Sequence, residues 1–118
     1  MAGHTGGAFV KHVDGLVALS DTTAQDVIPA QPNNNRIVVT SILVVNAHAT
    51  VGTKVEIRSG TTVRKRGFAA AGGGGWAPED DAGGYMFIGA PGEAITARCV
   101  TTGADVDVNI SGFVLGTP

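Results

Sequence analysis

The feature that most restricts the fold of this chain is a strict alternation of side chains near its C-terminus. Val106, Val108 and Ile110 are interleaved with polar residues at 105, 107 and 109. Successive side chains of a strand point to opposite faces, so this spacing predicts a strand with one dry and one wet surface. A Thr-Thr-Gly turn at 101–103 precedes it, and the segment 92–100 has a similar pattern, which predicts that the two strands pair as a hairpin.

The same two-residue period recurs upstream, and no amphipathic helix interrupts it. Short strands are expected at 24–28, 53–59, 61–68 and 85–88, and one or two more at 9–19, where Asp14-Gly15 is typical of a turn. Pro32 and three asparagines predict another turn at 31–35. The sequence therefore predicts an all-β chain, a single antiparallel β-sandwich of about eight strands.

The segment 36–46 is the most apolar stretch of the chain. Seven of its eleven residues are β-branched, which argues against a buried helix. It is apolar on both alternating faces, so it is expected to be a central strand covered on each side. The cover on each side is expected to be either the opposing sheet or a partner subunit.

Size and composition limit the chain to one domain with one core. Of 118 residues, 43% are hydrophobic but only 5% aromatic, so the core must be built from Val, Ile, Leu and Ala. Residues 1–8, rich in Gly and Ala, are expected to form a flexible arm preceding a single sandwich domain at 9–118. Residues 69–84 have no period and are expected to form a long glycine-rich loop.

Charge and hydropathy argue against several classes of partner. A net charge of −2 with 15% charged residues does not provide the basic field of a nucleic-acid binder. No stretch approaches the 18 apolar residues of a membrane span, and the first residues lack the basic and apolar regions of a signal peptide. We expect a protein that is made soluble and stays in its compartment of synthesis.

No constellation of residues predicts chemistry. The three histidines lack metal-ligand spacing, Gly72 to Gly75 lacks the Lys and Ser/Thr of a phosphate loop, and Cys99 lies in an apolar pattern typical of burial. Two acidic clusters, at 79–81 and at 105–109, lack the spacing of a calcium loop and are expected to be solvated. We expect no enzyme activity, cofactor, metal or small-molecule substrate.

Surface contacts are the remaining source of function. Trp76 lies in the glycine-rich loop, where it either contacts a partner or covers one end of the sandwich. The basic trio at 64–66 and the acidic loop at 79–81 either pair within one monomer or set the register between neighbouring copies. The candidate contact residues are Phe9, Arg64, Lys65, Arg66, Trp76, Glu79, Asp80, Asp81 and Tyr85.

Three segments, 37–46, 55–62 and 92–112, resemble small virion proteins of tailed bacteriophages. The resemblance lies in an apolar strand ending in Asn, then Val-Glu-Ile-Arg-Ser-Gly-Thr-Thr, Gly-Glu-Ala-Ile-Thr-Ala and Asp-Val-Asp-Val-Asn-Ile-Ser-Gly-Phe. The glycine-rich loop and the basic trio depart from that pattern.

The resemblance implies a jelly-roll-like sandwich and a structural role. The expected function is that of a capsid decoration or cement protein on the virion surface, a homodimer or homotrimer that binds the major capsid protein. The alternative is a tail, collar or fibre subunit that binds a host surface glycan.

Overall fold

A computed structural model of the chain describes residues 9–78 and 84–116, and within these ranges the regular secondary structure consists of β-strands and one short 3-10 turn. A single 3-10 turn, Pro32–Asn34, lies where the Pro-Asn turn was predicted. No helix in the described ranges is long and apolar enough to cross a membrane. The strands are β1 Phe9–Leu19, β2 Gln25–Ile28, β3 Arg36–Asn46, β4 Thr53–Ser59, β5 Thr62–Ala69, β6 Gly75–Trp76, β7 Phe87–Ile88, β8 Ile95–Cys99 and β9 Val106–Gly116.

The strands form two antiparallel sheets that pack face to face. The first sheet has the order β1-β9-β3-β6, with β7 also paired to β3, and the second has the order β2-β8-β4-β5. Strands β4 and β5 form a hairpin, whereas most other connections cross from one sheet to the other. Such crossing connections are the signature of a jelly roll. The prediction of one antiparallel, jelly-roll-like β-sandwich is confirmed.

The core between the sheets is built mainly from valines and isoleucines, with Leu19 and three alanines among the other buried residues. Each Val, Leu or Ile side chain that is fully buried contributes roughly 1.5–3 kcal/mol to folding. The largest fully buried side chains are Leu19, Ile28, Ile37, Val39, Ile42, Val44, Val55, Ile57, Ile95, Val106, Val108 and Ile110.

The predicted C-terminal hairpin is wrong. Strand β8 pairs with β2 and β4 in the second sheet, whereas β9 pairs with β1 and β3 in the first. Each of the two strands has one apolar face, and these faces meet across the core instead of lying side by side. Gly103, with φ of 101°, lies in the crossing, and its N–H donates to the carbonyl of Ser20 at 2.9 Å.

Strand β1 is continuous, so Asp14-Gly15 is not a turn. Residues 9–19 pair without interruption with β9, from Phe9 opposite Gly116 to Leu19 opposite Val106. Gly15 is accounted for by the neighbouring sheet, because a Cβ atom at this position would lie 1.9 Å from the carbonyl oxygen of Val27 in β2. The glycine lets the two sheets approach each other at this edge.

Strand β3 has the predicted bounds and a central place in its sheet, but only one of its faces is fully covered. Its inward residues, such as Ile42 and Val44, are buried against the second sheet. On the outer face Val38 is buried, whereas Ser41 and Leu43 are exposed. The monomer therefore leaves part of the outer surface of β3 uncovered.

Candidate interaction surfaces

The basic trio is divided among three environments, because consecutive strand residues alternate between faces and a register shift interrupts β5 near Arg64. Arg64 donates from Nη1 to the Ile88 carbonyl at 3.0 Å, and its guanidinium lies 5.0 Å from the centre of the Phe87 ring. Lys65 is half-buried and pairs in register with the inward-facing Ile57. Arg66 Nη1 lies 3.7 Å from the carboxylate of Glu56 in β4. Arg64 and Arg66 therefore both have contacts within the monomer, with β7 and β4 respectively.

Trp76 lies in a short edge strand rather than in a featureless loop. Strand β6 pairs with β3, with Trp76 opposite Val44, so part of the predicted loop 69–84 extends the first sheet. The half-buried indole packs against the core and against Gly67 of β5, where a Cβ atom would lie 2.7 Å from Trp76 Cε2. Its Nε1 is buried and has no hydrogen-bond partner among the described residues. The ring therefore contacts both sheets at one edge of the sandwich.

The other candidate contacts are less informative. Phe9 begins β1 opposite Gly116, and Tyr85 is half-buried just before β7. Residues 79–81, the predicted acidic loop, lie outside the described residues. Its pairing with the basic trio stays a prediction.

The most buried charge in the described ranges is Glu56, at the centre of the second sheet. Its carboxylate accepts a hydrogen bond from Arg98 Nε at 2.8 Å and lies 3.7 Å from Arg66 Nη1. The three residues are aligned across β8, β4 and β5. The alternation in β4 predicts that Glu56 faces outward, but only the strand order shows that two arginines cover it, leaving it 7% exposed. Hydrogen bonding and ion pairing with such partners offset the desolvation cost of burying a carboxylate.

The outer surface of the second sheet is basic and partly apolar. Its charged side chains are Lys54, Arg58, Arg66, Arg98, Glu56 and Asp26, four positive and two negative. Phe68, opposite Lys54, is 58% exposed, and Val63 opposite Arg58 is also exposed. We call this surface, defined by these eight residues, the basic face. An exposed aromatic ring among cations is typical of a protein–protein contact.

The outer surface of the first sheet is apolar and acidic at its centre. Leu16, Asn109 and Leu43 form one row across β1, β9 and β3, and the two leucines are 65% and 49% exposed. Asp14 lies in the row on one side, beside serines, and Asp107 lies in the row on the other side. We call these five residues the leucine face. The three rows hold no Lys or Arg, and the sequence analysis did not single out either leucine as a contact.

The reactive side chains of the described ranges are few and separate. Cys99 is fully buried, as predicted. This burial raises the pKa of the Cys99 thiol, and a hydrogen bond with the Thr53 side chain partly offsets the effect. Among the described residues no three His, Cys, Asp or Glu side chains are grouped to hold a metal ion, and no pocket is found there.

The fold is similar to that of a subunit from appendages of Bacillus endospores, which form a family of disulfide-linked pili. The two share 10% sequence identity with a TM-score of 0.55, and the similarity covers 100% of this chain and 97% of the other. The likeness establishes the fold alone. No protein-family model matches the chain, and no curated protein matches it in sequence.

Proposed function

We propose that this chain is a structural subunit that acts through its surfaces, and specifically a capsid decoration protein that binds the major capsid protein on the virion surface. The observation that carries the proposal is the pair of unlike outer faces, one with exposed leucines and one with an exposed phenylalanine among cations. Both lie on a rigid two-sheet body. Isolated exposed apolar residues are ordinary, whereas apolar residues grouped with charges mark contact surfaces.

Stabilisation of a shell follows from simple linkage. A domain that binds the assembled lattice better than free subunits lowers the free energy of the lattice. Each copy contacts several shell subunits, so weak individual contacts add up through a high effective concentration. In this proposal the arm at 1–8 and the acidic loop at 79–81 add further contacts, and the chain, made in the host cytoplasm, joins the shell after assembly.

A second candidate is a fibre or appendage subunit, and the fold similarity to a pilus subunit favours it. In that case the main partner is another copy of the chain, and a tail or collar fibre would also bind a host surface glycan. The disulfide links of the similar pili do not carry over, because Cys99, the one cysteine of this chain, is buried in the core.

Cosedimentation tests the capsid proposal. Purified protein is mixed with expanded phage shells that lack decoration, and shells already carrying their decoration protein serve as the control. We expect saturable binding with a fixed number of copies per shell, a higher melting temperature of the decorated shell, and no binding to the control. Absence of binding at saturating protein would contradict the proposal, and a clear hit on a glycan array would favour the fibre candidate.

A further inference from the structure

The two outer faces of the sandwich have opposite electrostatic character. The central rows of the leucine face carry Asp14 and Asp107 and no basic residue. The basic face carries four cations, and its one central carboxylate, Glu56, is already covered by Arg66 and Arg98. Complementary potentials of this kind attract and orient two surfaces.

The apolar groups of the two faces also differ in shape. Leu16 and Leu43 lie on either side of Asn109. Their strands, β1 and β3, are about 10 Å apart, because β9 lies between them. Asn109 is the one residue between them, so an aromatic ring can lie over its side chain with a leucine on either side. On the basic face, the single ring of Phe68 is more than half exposed. Lys54 lies opposite it, and Arg66 lies two residues earlier in the same strand.

We propose that the leucine face of one copy binds the basic face of a second copy of this chain. Phe68 of one molecule lies over Asn109 of the next, between Leu16 and Leu43. Lys54 and Arg66 then meet Asp14 and Asp107, which flank that row. The contact also covers the outer surface of β3 that the monomer leaves open at Leu43.

The placement of the two faces determines the kind of assembly. They lie on opposite sides of one sandwich, so the inner copies of a stack use both faces, and the stack leaves one face of each kind unoccupied at its two ends. A contact between two different surfaces does not close on itself as a twofold dimer does. We therefore expect an open stack that grows with protein concentration. This inference goes beyond the proposed function, because it concerns the pure protein and needs neither shell nor glycan.

Two double variants separate the faces. The first, Leu16→Asp with Leu43→Asp, blocks the leucine face and leaves the basic face intact. The second, Lys54→Glu with Phe68→Ser, does the reverse. Leu115→Asp is the matched control, because Leu115 is a partly exposed leucine on the same outer surface but beyond the central rows.

Sedimentation velocity over a concentration series, without shells, is the measurement. We expect wild-type protein and the control to form growing stacks, weakened by salt, and each double variant to associate at least about tenfold more weakly. An equimolar mixture of the two variants has one intact face of each kind, and it should form two-chain complexes and nothing larger. Thermal unfolding of each variant checks that it is folded.

Three outcomes would overturn the inference. The first is a wild-type protein that stays monomeric at every concentration. The second is a mixture of folded variants that fails to associate. The third is a dimer of the second variant alone, which would mean that leucine faces bind each other. Loss of shell binding with intact stacking would contradict only the proposed function.

Discussion

In the connection between β3 and β4, the side chains of Asn46 and His48 form hydrogen bonds with backbone groups. The buried amide of Asn46 donates to the carbonyls of Val51 at 2.8 Å and Ala69 at 3.1 Å, and its oxygen accepts from the backbone of Asp105. His48 Nδ1 accepts from the backbone N–H groups of Thr50 at 3.1 Å and Val51 at 3.0 Å. Nδ1 can accept these bonds only when it carries no proton. These bonds satisfy backbone groups that no strand reaches.

Replacing His48 tests whether that acceptor matters. We expect His48→Ala to lower the free energy of unfolding by about 1–2 kcal/mol, because two N–H groups lose their partner. His48→Asn places Oδ1 where Nδ1 stood and should lose clearly less. Urea unfolding of both variants measures the difference, and equal losses would show that the imidazole acts through packing instead.

At the level of strands, close approach is as important as pairing. A Cβ atom at Gly15 in β1 would clash with the backbone of β2, whereas one at Gly52, just before β4, would clash only with the end of the Phe68 ring and lie at contact distance, 3.4 Å, from the Ala69 carbonyl oxygen. The first contact is with rigid main chain and the second is with a mobile, exposed side chain. The two glycines therefore form a matched pair for testing the role of space.

We expect Gly15→Ala to destabilise the protein by at least about 1–3 kcal/mol, because the new methyl group can be accommodated only if β1 or β2 moves. Gly52→Ala should cost much less, because the Phe68 ring can turn away. Thermal unfolding of the two variants provides the comparison. A Gly15→Ala variant as stable as Gly52→Ala would contradict the close β1–β2 approach.

Alternation in the sequence predicts where strands lie but not which strands are partners. The bounds of β3 and β4 follow from their pattern, because apolar residues must face the core in either sheet. Pairing of β8 with β9 was wrong for the same reason, since inward-facing Cys99 and Val108 fit a hairpin and a crossing equally well. Strand β6 has two residues, which is too short for any alternation to be seen in the sequence. It is recognised only by its pairing with β3.

At the level of the whole molecule, one core joins both sheets, so a change in any buried group affects the entire fold. Cys99 belongs to this core, and burial raises the pKa of its thiol in the folded protein. The Cys99 thiol ionises near pH 8.5 in the unfolded chain and only at higher pH in the folded chain. The contribution of the protonated Cys99 thiol to the free energy of unfolding is therefore complete below about pH 8.5 and is lost as the pH rises through the folded-state pKa.

Comparison of wild type with Cys99→Ala isolates this effect. Below about pH 8 the wild type should be more stable by a constant amount, which includes the packing of the sulfur atom. We expect that advantage to shrink progressively at alkaline pH, because only the wild type has a thiol to ionise on unfolding. Urea midpoints at a series of pH values measure it, and a difference independent of pH would contradict the raised pKa.

The contact surfaces were less accessible to sequence reasoning than the fold. The trio at 64–66 is divided among different surfaces, because neighbouring strand residues cannot share a face. The cover of Glu56 requires Arg98, which is distant in sequence and meets it only through the β4–β8 register. Leu16 and Leu43 form a patch only because β9 lies between their strands, and this order cannot be read from either segment.

The pairing of β1 with β9 has a consequence for how the chain is made. During synthesis β1 emerges before the other strands described here, yet β9, the strand beside it, emerges only after β2 to β8. The first sheet therefore cannot be completed until β9 has emerged, and folding is dominated by contacts between distant segments, which form slowly. During that interval β1 is an unpaired edge that chaperones or other nascent chains can capture.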